Sequence, residues 1–342
     1  MYADRIFKAG CNLEQRNELF QQDRSGENIV KIAYLVLIHK DPAFLARLCK
    51  RVMNHTENHV FVHVDAKADS KPFRKSVEKI PSPEKVHFVH NIPVYWGGYN
   101  SVEATIILLK EAANYRIFDR YVLLQGMDYP LWNNLRINDF FRENRQVEFI
   151  NAVSETMGPR KEWHKYFFRY YLDGQLSIPK RLVNKCNTIV RKMIPQIMRR
   201  PWVLEGGKKL EIFRGWTQFA LTDSAVRFVI DWHDVKQDYN HYFKHVYAAD
   251  ESYFHTILYN SPFAERTQNG AVLPEANRSI KGLLNLTYFE YPNIVTLFKE
   301  EQDYEYLLSK GYPYFRKASS ESKGLLDKID KECEAIENSE VM

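Results

Sequence analysis

The chain has 342 residues, 45% hydrophobic and 14% aromatic, with a net charge of +5. That composition describes a well-packed protein of one large domain or two ordinary ones and excludes a disordered chain. The mild basic excess suits anionic partners such as nucleotides, phosphosugars or acidic membrane surfaces and is too weak to argue for nucleic acid. Cys11, Cys49, Cys186 and Cys333 form no C-x-x-C pair and read as free thiols of a reducing compartment. No apolar run reaches membrane-spanning length and the polar N-terminus is no signal peptide, so the expectation is a cytoplasmic protein, soluble or peripheral.

In chain order, "KIAYLVLIH" (31–39) is a near-continuous apolar run of the kind a buried parallel strand needs. "PAFLARLCKRVM" then places Phe44, Leu45, Leu48 and Val52 on one helical face that begins at Pro42. "HVFVHVD" (59–65) predicts a second strand and "KVHFVH" (85–90) a third. "SVEATIILLKEAANY" (101–115) predicts an amphipathic helix, "RYVLLQG" (120–126) a fourth strand, "LRINDFFREN" a helix and "VEFINAV" (147–153) a further strand. Strand alternating with helix implies an α/β protein with a doubly wound, mostly parallel sheet flanked by helices, whose ligands sit beyond the carboxyl ends of the strands. Those ends deliver His39-Lys40, Asp65-Ala66-Lys67, Trp96-Gly97-Gly98 and Asp128 to one rim. Neither G-x-G-x-x-G after the first strand nor G-x-x-x-x-G-K-[ST] anywhere is present, which disfavours a dinucleotide site and a P-loop.

The second half is less regular. Residues 214–233 read as a short strand, a turn at Thr222-Asp223-Ser224 and a helix. "ADESYFHTILYN" follows, with Asp250-Glu251 ahead of a helical run. On the residues alone that acidic pair is either a helix cap or an acid/base site. From Asn277 to Lys317 the pattern is strand and loop, and from Ser319 a charged, helical terminus.

"FVHVDAKAD", "VYWGGYNSVEATIILLKEA", "YVLLQGMDYPL", "RGWTQFALTDSAVRFVI", "ADESYFHTILYNSPF" and "YFRKAS" stand in this order at these spacings. Together they resemble the core-2/I-branching glycosyltransferase family of β-1,6-N-acetylglucosaminyltransferases and protein xylosyltransferases, with the Glu251 motif most similar to the xylosyltransferase branch. The likeness runs from Lys31 to Ser319 and suggests a bacterial-type member. It implies a GT-A fold over 31–318, with a nucleotide-binding half (31–153) and an acceptor and catalytic half (154–318), between an N-terminal extension (1–30) and a charged tail (319–342).

The resemblance further implies an inverting, metal-independent transfer of GlcNAc or xylose from its UDP carrier to a sugar hydroxyl of a cell-surface glycan or glycolipid precursor. Glu251 falls on the family's base and Asp250 on a helix cap. The UDP-sugar would lie on Ile38, His39, Asp65, Ala66, Lys67, Trp96, Asp128, Arg316 and Lys317, the acceptor on Arg160, Lys161, Trp163, Trp216 and Gln218. No cofactor or metal is implied, and no Asp-x-Asp pair occurs in the chain to hold a hard cation. Where the family carries a second basic residue ahead of the Phe-x-x-Lys motif, this chain has Asn293, which cannot supply charge; Arg278, Lys281 or Arg316 would have to compensate. That departure supports one rival reading, a nucleotide-sugar or glycan-binding module without turnover; a second rival is a metal-dependent GT-A transferase of another family. Residues 179–202 carry seven basic residues and no acidic one beside Ile189, Val190, Met193, Ile194, Ile197 and Met198. They suit either peripheral contact with an anionic membrane at its inner face or a solvated helix packed on the domain.

Overall fold

The computed structural model describes residues 29–154, 182, 185, 186, 189, 202–268, 284–290 and 293–341. Its centre is a five-stranded sheet. β1 (Ile32–Ile38) pairs in parallel with β2 (His59–Val64) and with β4 (Arg120–Gln125), and β3 (Val86–Phe88) extends β2. The two-residue β10 (Ala220–Leu221) closes the other edge antiparallel to β4, giving the order β10-β4-β1-β2-β3.

The continuous apolar runs of β1, β2 and β4 are explained by burial on both faces; all six residues of β2 are buried. Alternate residues of β1 enter different cores. Tyr34, Val36 and Ile38 pack with Phe44, Leu45, Leu48 and Val52 of α1 (Pro42–Met53). Ala33 and Leu35 pack with Val102, Ile106 and Leu109 of α3 (Asn100–Tyr115), and that core continues into α5 (Asp223–Val235) and α7 (Tyr253–Tyr259). Each such aliphatic side chain contributes about 1.5–3 kcal/mol by leaving water. Local chemistry sets the helix starts. Asp41 caps α1, its Oδ1 accepting from Phe44 N at 3.0 Å ahead of Pro42, and Thr222 caps α5. The shorter α2 (Lys71–Val77), α4 (Asn134–Glu143) and α6 (Gln237–Phe243) fill the gaps between these elements.

A second sheet stands at the carboxyl end of the first. β12 (Tyr314–Arg316) runs parallel to β11 (Thr287–Phe289) and antiparallel to β5 (Asp128–Pro130), with Arg316 opposite Asp128. The short helix α8 (Asp303–Leu308) lies between β11 and β12 in the chain. β6 (Val153–Ser154) pairs with β9 (Phe213–Arg214), and β7 (Trp202–Glu205) with β8 (Lys208–Glu211).

One expectation is corrected. Residues 147–153 are not a regular strand: Glu148 and Phe149 make only isolated bridges before β6. The Glu148 carboxylate points into the interior, where it accepts from Thr222 N at 2.8 Å and Thr222 Oγ1 at 2.7 Å and pairs with Arg266 at 2.9 Å. This segment therefore works as a latch on the start of α5. The charged C-terminus is helical, as expected, and it packs on the domain. α9 (Lys323–Val341) buries Leu325, Leu326 and Ile329 completely in the α1 core. Its Glu337 meets Arg51 of α1 at 3.0 Å with both side chains buried, and it also accepts from Asn54 Nδ2 and Asn134 N, each at 2.6 Å.

Removing one partner of a buried pair strands the other charge at a cost of about 3–5 kcal/mol. Glu337→Ala is accordingly expected to lower the urea unfolding free energy by that amount, and a loss under about 1 kcal/mol would show that the pair is dispensable. Among the described residues no helix is long and apolar enough to cross a membrane. Cys49, Cys186 and Cys333 are free thiols, and Cys11 lies outside the described residues.

Candidate active site

The carboxyl ends of the parallel strands carry a circuit of polar contacts. At its β2 corner, Asp65 donates its backbone N–H to Ile38 O at 2.8 Å. Its carboxylate accepts from Lys67 N at 2.9 Å, Lys67 Nζ at 2.7 Å and Val94 N at 3.3 Å. Burial works against the Asp65 charge, but Lys67 and these N–H groups outweigh it and hold the carboxyl below its usual range. Ala66 donates to Ile92 O, and the Lys67 ammonium lies over the Tyr95 ring at 4.5 Å. Trp96 follows, 77% exposed and edge-on to Tyr247 at 5.4 Å, so a core role for this indole is excluded. Gly97, at φ 78, accepts from Ala248 N at 2.9 Å and ties this loop to the turn that bears Glu251.

Glu251 ends a 3₁₀ turn, Ala249–Glu251. Its Oε2 accepts from Arg214 Nε at 3.0 Å and from Arg214 Nη2, and its carbonyl accepts from Gly215 N at 2.9 Å. Oε1 takes no hydrogen bond from any described residue. Asp250 does not cap the next helix, which corrects the expectation. Ser252 occupies the N-cap of α7 and no side chain closes it, while Ser101, in the first turn of α3, favours the charged Asp250 carboxylate. Burial first, and the neighbouring Glu251 second, push the Asp250 carboxyl up to about 7.

His255, one turn further on, is fully buried, and no hydrogen-bond partner for its ring is found among the described residues. Burial and then Arg214 push it down to about 3, the Trp216 backbone opposing them too weakly to restore the charge. A Cβ at Gly215 would fall 1.9 Å from Asn151 O and 2.6 Å from His255 Nε2, so only glycine lets the chain pass there.

From Gly215 the circuit continues to the β4 corner. Trp216 is half-buried, edge-on to Phe289 at 4.6 Å, and its Nε1 has no partner among the described residues. Thr217 Oγ1 accepts from Gln125 Nε2 at 2.8 Å. Gln218 is buried with its amide on Asp128 at 3.3 Å, so it backs the rim instead of facing outward as the acceptor wall would require. Asp128 is fully buried with both oxygens engaged, Oδ1 by Arg316 at 2.6 Å and Oδ2 by Gln125 N at 2.8 Å and Gln218. A carboxylate so committed is a poor cation ligand, and among the described residues no cluster of three or more metal-ligating side chains occurs.

Arg316 leads to Lys317, which makes no ion pair among the described residues. Burial and then the like charges of Arg316 and Lys40 depress its pKa, with Asp128 opposing. Lys40 acts with burial in the same direction on the exposed His39. Asn293 is exposed in a turn whose carbonyl accepts from Thr296 N, and Thr296 O accepts from Lys317 N at 3.3 Å. Its side chain therefore stands on the loop beside Lys317.

The rim thus unites Ile38, His39, Asp65, Ala66, Lys67, Trp96, Asp128, Trp216, Gln218, Glu251, Arg316 and Lys317. Arg160, Lys161, Trp163, Arg278, Lys281 and most of 179–202 lie outside the described residues. Sequence reasoning gave no role to Arg214, which opens the RGWTQFALT stretch but whose partner is 37 residues away, and left Lys40 without a role.

A mostly parallel α/β sheet of GT-A type, with its polar residues gathered at the strand ends, is the class this architecture defines. The chain belongs to the Core-2/I-Branching enzyme family, whose pattern it matches over residues 32–273. It is similar to xylosyltransferase 2 of Rattus norvegicus, at 26% identity over 250 residues, covering 72% of this chain and 26% of that protein. Xylosyltransferase 2 of Mus musculus is 25% identical over 253 residues (72% and 27%), and a xylosyltransferase of Ciona intestinalis 18% over 240 residues (69% and 26%). The chain spans about a quarter of the length of these curated relatives.

Proposed function

We propose that the chain is an inverting glycosyltransferase that moves xylose or GlcNAc from its UDP carrier to a sugar hydroxyl without a metal. The observation that carries this reading is the placing of Glu251 on the rim, anchored through Oε2 with Oε1 left to take a proton. In the proposed reaction Glu251 removes the acceptor's hydroxyl proton while that oxygen attacks C1 of the donor from the face opposite UDP. A carboxylate suffices, because UDP is a good leaving group and proton transfer can lag behind its departure. Lys317, with Lys40 beside it, meets the charge that grows on the β-phosphate, the task a divalent cation performs elsewhere. The Asp65–Lys67 corner and the exposed Trp96 offer a hydrogen-bonding edge and a stacking face to the nucleotide. The names of the relatives favour UDP-xylose as the first donor to test, with UDP-GlcNAc beside it. UDP release from these donors in the presence of p-nitrophenyl glycosides tests the proposal.

Asn293, where the family has a basic residue, favours one rival: a module that binds the nucleotide sugar without consuming it. Such a module would show UDP binding by calorimetry and no UDP release. Metal independence makes its own prediction. Turnover is expected to persist in excess EDTA, because the chain has no Asp-x-Asp pair and Asp128 is held by Arg316. Loss of turnover that Mn²⁺ restores would overturn the metal-free mechanism.

A further inference from the structure

The turn that bears Glu251 is tied down from several sides. Ala248 N donates to Gly97 O ahead of it, Glu251 N donates to Ala248 O within it, and the Glu251 carbonyl accepts from Gly215 N. The carboxylate itself is then gripped asymmetrically. Two nitrogens of Arg214 converge on Oε2, and no described residue donates to Oε1. Arg214 is well placed for this. Its backbone is fixed in β9 against Val153 of β6, and its side chain is only 11% exposed against 22% for Glu251. No competing cation is available from His255, the neighbouring titratable ring, because burial keeps it neutral. An ion pair on an exposed surface would be weak and mobile, but a short, half-buried arginine–carboxylate contact fixes geometry as well as charge.

We propose that Arg214 is the positioning residue for Glu251, selecting Oε1 as the atom that accepts the acceptor's proton. The proposal rests on the reading of Glu251 as the base. The acceptor's O–H bond breaks and its proton goes to Oε1. The acceptor oxygen forms the new bond to C1 of the donor. The C1–O bond to UDP breaks, and its electron pair leaves on the β-phosphate. Arg214 takes no proton and touches no substrate. Its contribution is to stop the carboxylate from rotating and presenting its engaged oxygen, and misplacement of a reacting group on the ångström scale costs about 10²-fold in rate.

The experiment is a double-mutant cycle on the full chain, read by UDP release from UDP-xylose and UDP-GlcNAc with p-nitrophenyl glycosides and by calorimetry with UDP. Arg214→Ala is expected to lower kcat by about 10- to 100-fold. The KM for the donor and the Kd for UDP should stay within about twofold, since neither depends on the base. Added guanidinium should restore part of the lost kcat, and Arg214→Lys should retain more than Arg214→Ala. In a Glu251→Gln background, Arg214→Ala should cost nothing further. An undiminished kcat, an equal loss of UDP affinity, or the full penalty persisting in the Glu251→Gln background would each overturn the proposal. If Arg214→Ala fails to fold, Arg214→Lys decides: reduced kcat at constant KM supports positioning, and wild-type kcat overturns it. Near-wild-type turnover by Glu251→Gln alone is a different result, which removes the base assignment itself.

Discussion

Glu251→Gln is expected to abolish transfer while leaving UDP affinity unchanged. Glutamine nearly matches glutamate in shape, and its amide oxygen can still accept from Arg214, so the turn and the donor site should persist. Only proton acceptance is lost, and loss of a general base costs about 10² to 10⁴ in rate. The proposed donor site lies elsewhere, on Asp65, Lys67 and Lys317, which is why binding should survive. Turnover within a few-fold of wild type would mean that Glu251 is a structural residue closing a 3₁₀ turn.

Lys317→Ala is expected to weaken UDP binding and slow transfer together, with uridine binding hardly changed. The ammonium makes no ion pair among the described residues and stands beside Arg316 and Lys40, whose like charges depress its pKa. Such a group gains by meeting an anion. A charge-assisted hydrogen bond contributes about 1.5–3 kcal/mol, so UDP affinity should fall by about 10- to 100-fold. Arg316 cannot take over fully, because Asp128 holds it at 2.6 Å. The converse change, Asn293→Arg, should raise UDP affinity, since that side chain stands on the loop whose Thr296 carbonyl holds Lys317 N. Equal losses for UDP and uridine would assign Lys317 to the fold instead of the phosphate.

Much of this architecture was legible in the sequence where one physical signal dominated. β1, β2 and β4 are buried on both faces and therefore read as unbroken apolar runs, and α1 announces itself by Pro42 and its 3–4 spacing. The strand ends carrying His39, Asp65 and Asp128 were legible for the same reason, whereas Glu251 and Lys317 were marked only by the family resemblance. Legibility failed where a side chain answers to a distant partner. Glu148 sits in a strand-like run, yet its carboxylate serves Thr222 and Arg266, and the run breaks up into isolated bridges. α9 reads as charged because lysines and glutamates surround a narrow stripe of Leu325, Leu326, Ile329 and Cys333. Gln218 lies in an acceptor-like motif but turns inward to Asp128. Arg214 carries no local signature, since its place opposite Glu251 exists only once β9 and the turn have met.

The embrace of α1 by α9 bears on how the chain is made. Arg51 is synthesised 286 residues before Glu337, the carboxylate that neutralises it. Until then the α1 face of the sheet lacks its outer cover and holds an arginine with no carboxylate to meet. The β1–β2–β4 ladder can assemble before α9 is made, because its partners all lie between residues 32 and 125. Final closure joins residues 286 apart in sequence, a long-range step that loop entropy makes slow. A nascent chain stalled before Lys323 would thus expose apolar surface to chaperones and proteases, and completion of α9 marks release from that vulnerability.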